Sequence, residues 1–238
     1  MYSHKSDRKP ADMKFYGNYR GIVVDDLDPL EAGRVKIRIF GIYDNVPDEA
    51  LPWATYSDPF MGGQEGIGGI FVPDIDSHVW CFFENGDHMQ PVYWAGAPSK
   101  LGLPPEKNTS THEESQGDIV YPRNKAIRTK AGHVIELDDT EGNERISIIH
   151  KSGTQITYQA NGDVYEHIIG NYKRVIDGTL EETITGALTR NYDGDLTDNV
   201  GGNYTLDVGG NSTENVGGTK SITASGNVTV NGATIQLN

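Results

Sequence analysis

Cysteine is nearly absent. Cys81 stands alone in 238 residues, so no intrachain disulfide can staple this fold. No run of eighteen apolar residues occurs, which excludes a membrane-spanning helix. The opening residues, MYSHKSDRKPADMKFYG, lack the apolar centre of a signal peptide, so synthesis in the cytoplasm without a leader is expected. Positive charge is also scarce: 20 Lys and Arg face 34 Asp and Glu, for a net charge of -14. A nucleic-acid partner needs a basic surface, so none is expected. Hydrophobic residues make up only 36%, few for a domain that buries a core of its own. Such a deficit means either disorder or an elongated fold with a narrow or shared core.

Glycine, by contrast, is abundant at 29 residues, and from Ile168 onward it falls in a strict eight-residue repeat. Position one of the octad holds Ile168, Ile176, Ile184, Tyr192, Val200, Val208, Val216 and Ala224. Position three holds Gly170, Gly178, Gly186, Gly194, Gly202, Gly210, Gly218 and Gly226, where chance would place about one glycine. Gly162 extends the glycine register one unit upstream. Eight residues are too few for a full coil of a single-chain β-helix. They suit one extended face and a sharp corner, with the glycine relieving the crowding where the backbone turns. A face of that kind cannot bury itself, whereas three chains wound together close a triangular prism without exposed sheet edges. A single-chain parallel β-helix and a glycine-rich tail are the alternatives. Collagen is excluded because glycine is not every third residue.

Upstream, residues 15–97 read as a small Greek-key barrel of about five strands. In the run 33–41, Val35, Ile37 and Ile39 alternate with Lys36 and Arg38. Residues 19–25 form the strand before it, and DDLDPLEAG supplies the turn. Further strands are expected at 77–83 and 90–96, with Pro91 at a strand start or edge. Residues 61–69 read as a flexible loop. The expected organisation is an N-terminal arm over 1–14, the barrel over 15–97 and a Pro- and Ser-rich linker over 98–118. A trimeric β-helix follows over 119–238, with octads from about residue 160.

The octads VGGNYTLD (200–207), VGGNSTEN (208–215) and VGGTKSIT (216–223) resemble the needle repeats of central spikes in contractile injection machines. That family covers the tail spike of T-even-type phage baseplates and the valine-glycine-repeat (VgrG-like) spike of type VI secretion. The stretch 124–154, with AGHVIELDDT at its centre, is similar to the start of the needle. YRGIVVDDLDPLEAGRVKIRIFG (19–41) and ENGDHMQPVYWAG (84–96) resemble the family's oligonucleotide/oligosaccharide-binding (OB) type barrel. The resemblance implies an all-β homotrimer in a virion tail baseplate, which pierces the host outer membrane as the tail contracts. It also implies a hub protein bound by the barrel. At the apex it implies a small conical tip protein, contacting Ile235, Leu237 and Asn238. A secretion or extracellular injection system, or a glycan-binding adhesive fibre, are the competing assignments. The chain departs from T-even-type spikes in having a short linker where they carry a lysozyme domain. Glu106, Glu113 and Glu114 sit in a segment too short to build that cleft, so no enzyme activity is expected. No large hub region precedes the barrel, so a separate hub protein is expected.

Remaining candidates are weak. Trp53, Tyr56, Trp80, Phe82 and Trp94 could stack on bases or sugars, but a basic groove is missing. His4, His78, His88, His112, His133, His150 and His167 show no zinc-site spacing with cysteine. Some spikes resembling this one hold iron in the tip between histidines. No histidine follows His167, so no metal or other cofactor is expected. His78, His88 and Asp87 suggest an acid–base cluster but have no accompanying nucleophile; a hydrated loop is expected there.

Overall fold

The computed structural model describes residues 13–59, 62–63, 66–98 and 120–236. The chain divides into two units, one running to Arg174 and one from Val175 onward. Among the described residues no helix is long and apolar enough to cross a membrane.

The first unit opens with a closed five-stranded barrel. Its strands are β1 (Tyr19–Asp25), β2 (Val35–Ile39), β3 (Trp53–Tyr56), β4 (His78–Phe83) and β5 (Pro91–Gly96), in the order β1-β2-β3-β5-β4. β3 and β5 pair in parallel and the other neighbours are antiparallel. The alternation expected in β2 is present, with Val35, Ile37 and Ile39 buried and Lys36 and Arg38 half-buried. They join Val23, Leu51, Ala54, Val79, Cys81, Phe83 and Tyr93 in one core. Pro91 opens β5, where its missing N–H costs least. β3 is a strand that sequence patterning did not single out; its four residues are too few to show a period. Gly21 is required by close approach. A Cβ there would lie 2.4 Å from Ile37 Cγ2 and 2.9 Å from the Arg38 carbonyl oxygen. Burial pushes the Cys81 thiol up to about 12, so the lone cysteine is an inert core side chain.

The β1–β2 loop is organised by Asp28. Its carboxylate accepts backbone N–H bonds from Leu30 (3.0 Å), Ala32 (2.9 Å) and Arg34 (3.3 Å), and ion-pairs with the Arg34 guanidinium at 2.5 Å. The Arg34 guanidinium, followed by these amides, outweighs burial and holds the Asp28 carboxyl far below the usual carboxylate range.

A second sheet follows within the same unit. β6 (Asn124–Arg128), β7 (Val134–Asp138), β8 (Arg145–Ile149), β9 (Gln155–Tyr158) and β10 (Val164–His167) form an antiparallel meander in chain order. Tight turns join them, and Gly132, Gly142, Gly153 and Gly162 take positive φ there. Gly162 (φ +86°) therefore belongs to the β9–β10 hairpin and not to the octad register, which corrects its expected role.

Candidate functional site

The meander's polarity is inverted. Glu136, Asp138, Arg145, Ser147, Gln155 and Thr157 are buried on one face. The other face carries two cross-strand rows, Ile127–Ile135–Ile148–Ile156 and Lys125–Leu137–Ile146–Tyr158. In those rows Ile127, Ile135, Leu137, Ile146, Ile148 and Tyr158 are 45% to 53% exposed. An alternating strand in an ordinary sheet turns its apolar side chains toward the core. Here the covered face is mostly polar, with only Val134 and Ile149 apolar on it, and the other face leaves its apolar rows half-exposed. Such a contiguous exposed patch marks an interaction surface. The meander also ends in two edge strands, β6 and β10, that have no further strand partner among the described residues.

The covered polar face is held by an ionic network. Arg145 Nη2 lies 2.8 Å from Glu136 Oε1 and 2.8 Å from Asp138 Oδ2. Asn124 Nδ2 donates to both carboxylates, at 2.5 and 3.2 Å. Burial raises the Asp138 carboxyl, but the Thr140 hydroxyl and backbone amide, with Asn124 and Arg145, hold it below its ordinary value. Breaking a buried pair of this kind is costly because it strands an uncompensated charge.

The octads continue the pattern. From Ile169 to Gln236 every residue is exposed. The backbone bends at positions two and three of each unit, at 169–170, 177–178, 185–186, 193–194, 201–202, 209–210, 217–218 and 225–226, with six residues of no regular structure between. Among the described residues no backbone–backbone hydrogen bond within the chain falls in 171–236. Ile168 is half-buried, and Ile176, Ile184, Tyr192, Val200, Val208 and Val216 are 41% to 56% exposed. Ala224 is exposed too. No octad glycine has positive φ, and a Cβ added at Gly170, Gly178, Gly186, Gly194, Gly202, Gly210, Gly218 or Gly226 would meet nothing within 4 Å. The bend falls where the repeat predicts, but the chain's own backbone gives no steric reason for glycine there. Arg190 reaches Glu182, one octad earlier, at 3.7 Å. Ile235 is 52% exposed; Leu237 and Asn238 lie outside the described residues.

The other candidates separate. The Trp53 ring is covered by Arg34 and Lys36, at 5.5 and 5.2 Å, and Trp80 by Arg20 at 5.1 Å. Tyr56 is half-buried and its hydroxyl donates to the Gly69 carbonyl at 2.7 Å, Phe82 is half-buried, and Trp94 is exposed. Of these rings only Trp94 is exposed, in an apolar hollow that Tyr56, Phe71, His78 and Tyr93 also line. His88 lies 3.9 Å from Asp87, while His78 sits at the opposite end of β4 against Phe40, so the acid–base cluster does not assemble. Among the described residues no group of three or more His, Cys, Asp and Glu could hold a metal ion. Glu106, Glu113, Glu114, His4 and His112 lie outside the described residues, as do 99–118 of the expected linker, residue 119 and 1–12 of the expected arm.

Sequence patterning missed this sheet. Its strands, though not which face is covered, were signalled by VIELD and RISII and by the turns KAG, TEGN, KSG and NGD that separate the strands.

Comparison with known proteins agrees with both halves of this architecture. Residues 19–97 match the type VI secretion system/phage-baseplate injector OB domain. Residues 194–217 match three copies of the Gp5 C-terminal repeat. The pre-baseplate central spike protein Gp5 of Enterobacteria phage T4 is 32% identical over 66 residues, covering 24% of this chain and 12% of that protein. Protein Gp5 of Vibrio phage KVP40 is 39% identical over 51 residues, covering 21% of this chain and 12% of that protein. The match thus spans about an eighth of the length of each curated relative. This chain is thus similar to Gp5-type spike proteins over those stretches, to an injector OB domain over 19–97 and to Gp5 C-terminal repeats over 194–217.

Proposed function

We propose that this chain is the subunit of a central spike, of which three copies intertwine into a triangular β-prism that pierces a cell envelope. The observation that carries this is the state of residues 171–236. They bend every eight residues, yet bury nothing and make no backbone–backbone hydrogen bond with any described residue of the chain. Regularity of that kind requires a partner with the same repeat, and a second and third copy supply it. The bare apolar rows of the meander support the same assembly.

In this assembly the octad residues from Ile168 to Ala224 line a shared core, and Ile235, Leu237 and Asn238 form an apex for a conical tip protein. The barrels dock to a hub protein of a phage tail baseplate; the phage T4 relative is named as a pre-baseplate central spike protein. The injector OB description also covers secretion systems, where the same subunit would serve. The action is mechanical and not catalytic. Contraction drives the prism through the outer membrane, and load spreads over many interchain bonds.

The test is native mass together with unheated SDS electrophoresis. A species of three times the 26.1 kDa chain mass that survives SDS until boiled supports the intertwined trimer. A folded monomer refutes it.

A further inference from the structure

In a chain of net charge -14, positive charge collects at one end of the meander. The β6–β7 and β8–β9 hairpins share a turn pattern, Thr129-Lys-Ala-Gly-His133 and His150-Lys-Ser-Gly-Thr154. Each is closed by a backbone bond, Thr129 N–H to His133 O at 3.0 Å and His150 N–H to Thr154 O at 2.8 Å. In each the glycine takes left-handed φ, +96° at Gly132 and +93° at Gly153. The turns at the opposite end carry Asp139, Glu141, Glu144 and Asp163. Five-residue strands separate the two ends by about 17 Å. That is about twice the Debye length of ~8 Å at physiological ionic strength, so the distal acids are screened. Asp74, which reaches the basic end, is engaged by Lys130 Nζ at 3.6 Å, and Glu166 lies on the edge strand β10.

Between the two basic tips lies a cavity of about 310 Å³. Arg128, Gly132, His150, Lys151, Ser152 and Gly153 line it, and no carboxylate does. At about 30 Å³ per water it has room for roughly ten waters, ample for a tetrahedral oxyanion. Neither the Arg128 guanidinium nor the Lys151 ammonium makes a hydrogen bond or ion pair with any described residue. His150 Nδ1 lies 3.1 Å from the Ser152 backbone N–H, which donates to it, and 2.8 Å from the Ser152 hydroxyl, so the ring is held with Nε2 pointing away from this turn. His133 Nδ1 accepts the Lys151 N–H at 3.4 Å, and the two rings pack with centroids 4.6 Å apart. The cavity thus presents two cations that have no partner among the described residues, beside the His150 imidazole. A guanidinium fork beside an ammonium suits phosphate oxygens.

We propose that this cavity binds a phosphate-type oxyanion, held by Arg128 and Lys151 beside the His150 imidazole. The anion is either free phosphate or the headgroup of an anionic lipid, which offer the same chemistry. The site stands independently of the spike assembly, since its walls all come from one chain.

Titration calorimetry of the full chain with inorganic phosphate, and co-sedimentation with phosphatidylglycerol and phosphatidylcholine vesicles, test it. Saturable phosphate binding that weakens by about tenfold or more in the double variant R128Q/K151Q, and is kept by R128K, supports the site. Binding to phosphatidylglycerol alone, lost in the same variant, supports it with the lipid as source. Lys125→Gln, at the acidic end, should change neither. The single variant K151Q, on an exposed turn, gives the same comparison if the double variant folds poorly. Absence of both kinds of binding, or binding that the variants leave unchanged, overturns the proposal.

Discussion

Asp28 ties the β1–β2 loop through three backbone amides and Arg34, and its depressed carboxyl makes that tie sensitive to pH. A carboxyl held below its unfolded value of about 3.9 contributes stability that is present above that value. The contribution is lost as pH falls through it toward the folded value. Asp28→Asn should therefore lower the thermal midpoint at neutral pH and flatten the fall in stability from pH 5 to pH 2. Parallel acid limbs for the two proteins would show that Asp28 does not carry the effect. Octad glycines pose a different question, because nothing within the chain crowds them. Gly202→Val should leave a lone chain unaffected and weaken the assembled spike, since only neighbouring chains can supply the clash. The check is the SDS-resistant fraction on unheated gels. An unchanged fraction would mean that glycine at position three serves the bend alone.

The meander is the element whose two faces make opposite predictions. Arg145 is its buried cation between Glu136 and Asp138, so Arg145→Met strands two carboxylates and should cost about 3–5 kcal/mol in denaturant unfolding. Ile148 lies in the bare apolar row beside Ile135 and Ile156. A charge at an exposed position of a monomer costs within about 0.5 kcal/mol. Ile148→Glu should instead abolish trimers while leaving the strand content by circular dichroism intact. If the variant still runs as a trimer, the row is not an interface. These faces also mark how far the sequence could be read. The alternation of β2 located its core side, because Val35, Ile37 and Ile39 meet a core that the barrel itself closes. The octad period placed every bend from 169–170 to 225–226. In VIELD and RISII alternation tells that two faces differ, not which one the chain covers, so the buried Glu136–Arg145–Asp138 network was not legible. Gly162 fell in phase with the octads by coincidence, and only its positive φ assigns it to a hairpin. β3, at four residues with a parallel partner in β5, is defined by barrel closure and not by a pattern of its own.

At the scale of the whole molecule, the contrast lies between a barrel that completes its own hydrogen bonding and a repeat that completes none. β1 to β5 close on themselves, so their amides should be protected from hydrogen exchange whether the chain is alone or assembled. Residues 171–236 have no backbone partner among the described residues of the chain. In a separate chain their amides should exchange at the rate of open backbone, within the dead time of a mixing experiment. In an intertwined prism most of them pair across chains and should exchange only with global dissociation. Exchange followed by mass spectrometry therefore separates assembly from mere solubility, peptide by peptide. Slow exchange should begin at the first octad and run with an eight-residue modulation, with the bends at positions two and three the least protected. A uniform fast exchange through 171–236 in the native sample would remove the shared prism. The barrel's protection in that same sample would show that the protein was folded when the repeat was found open.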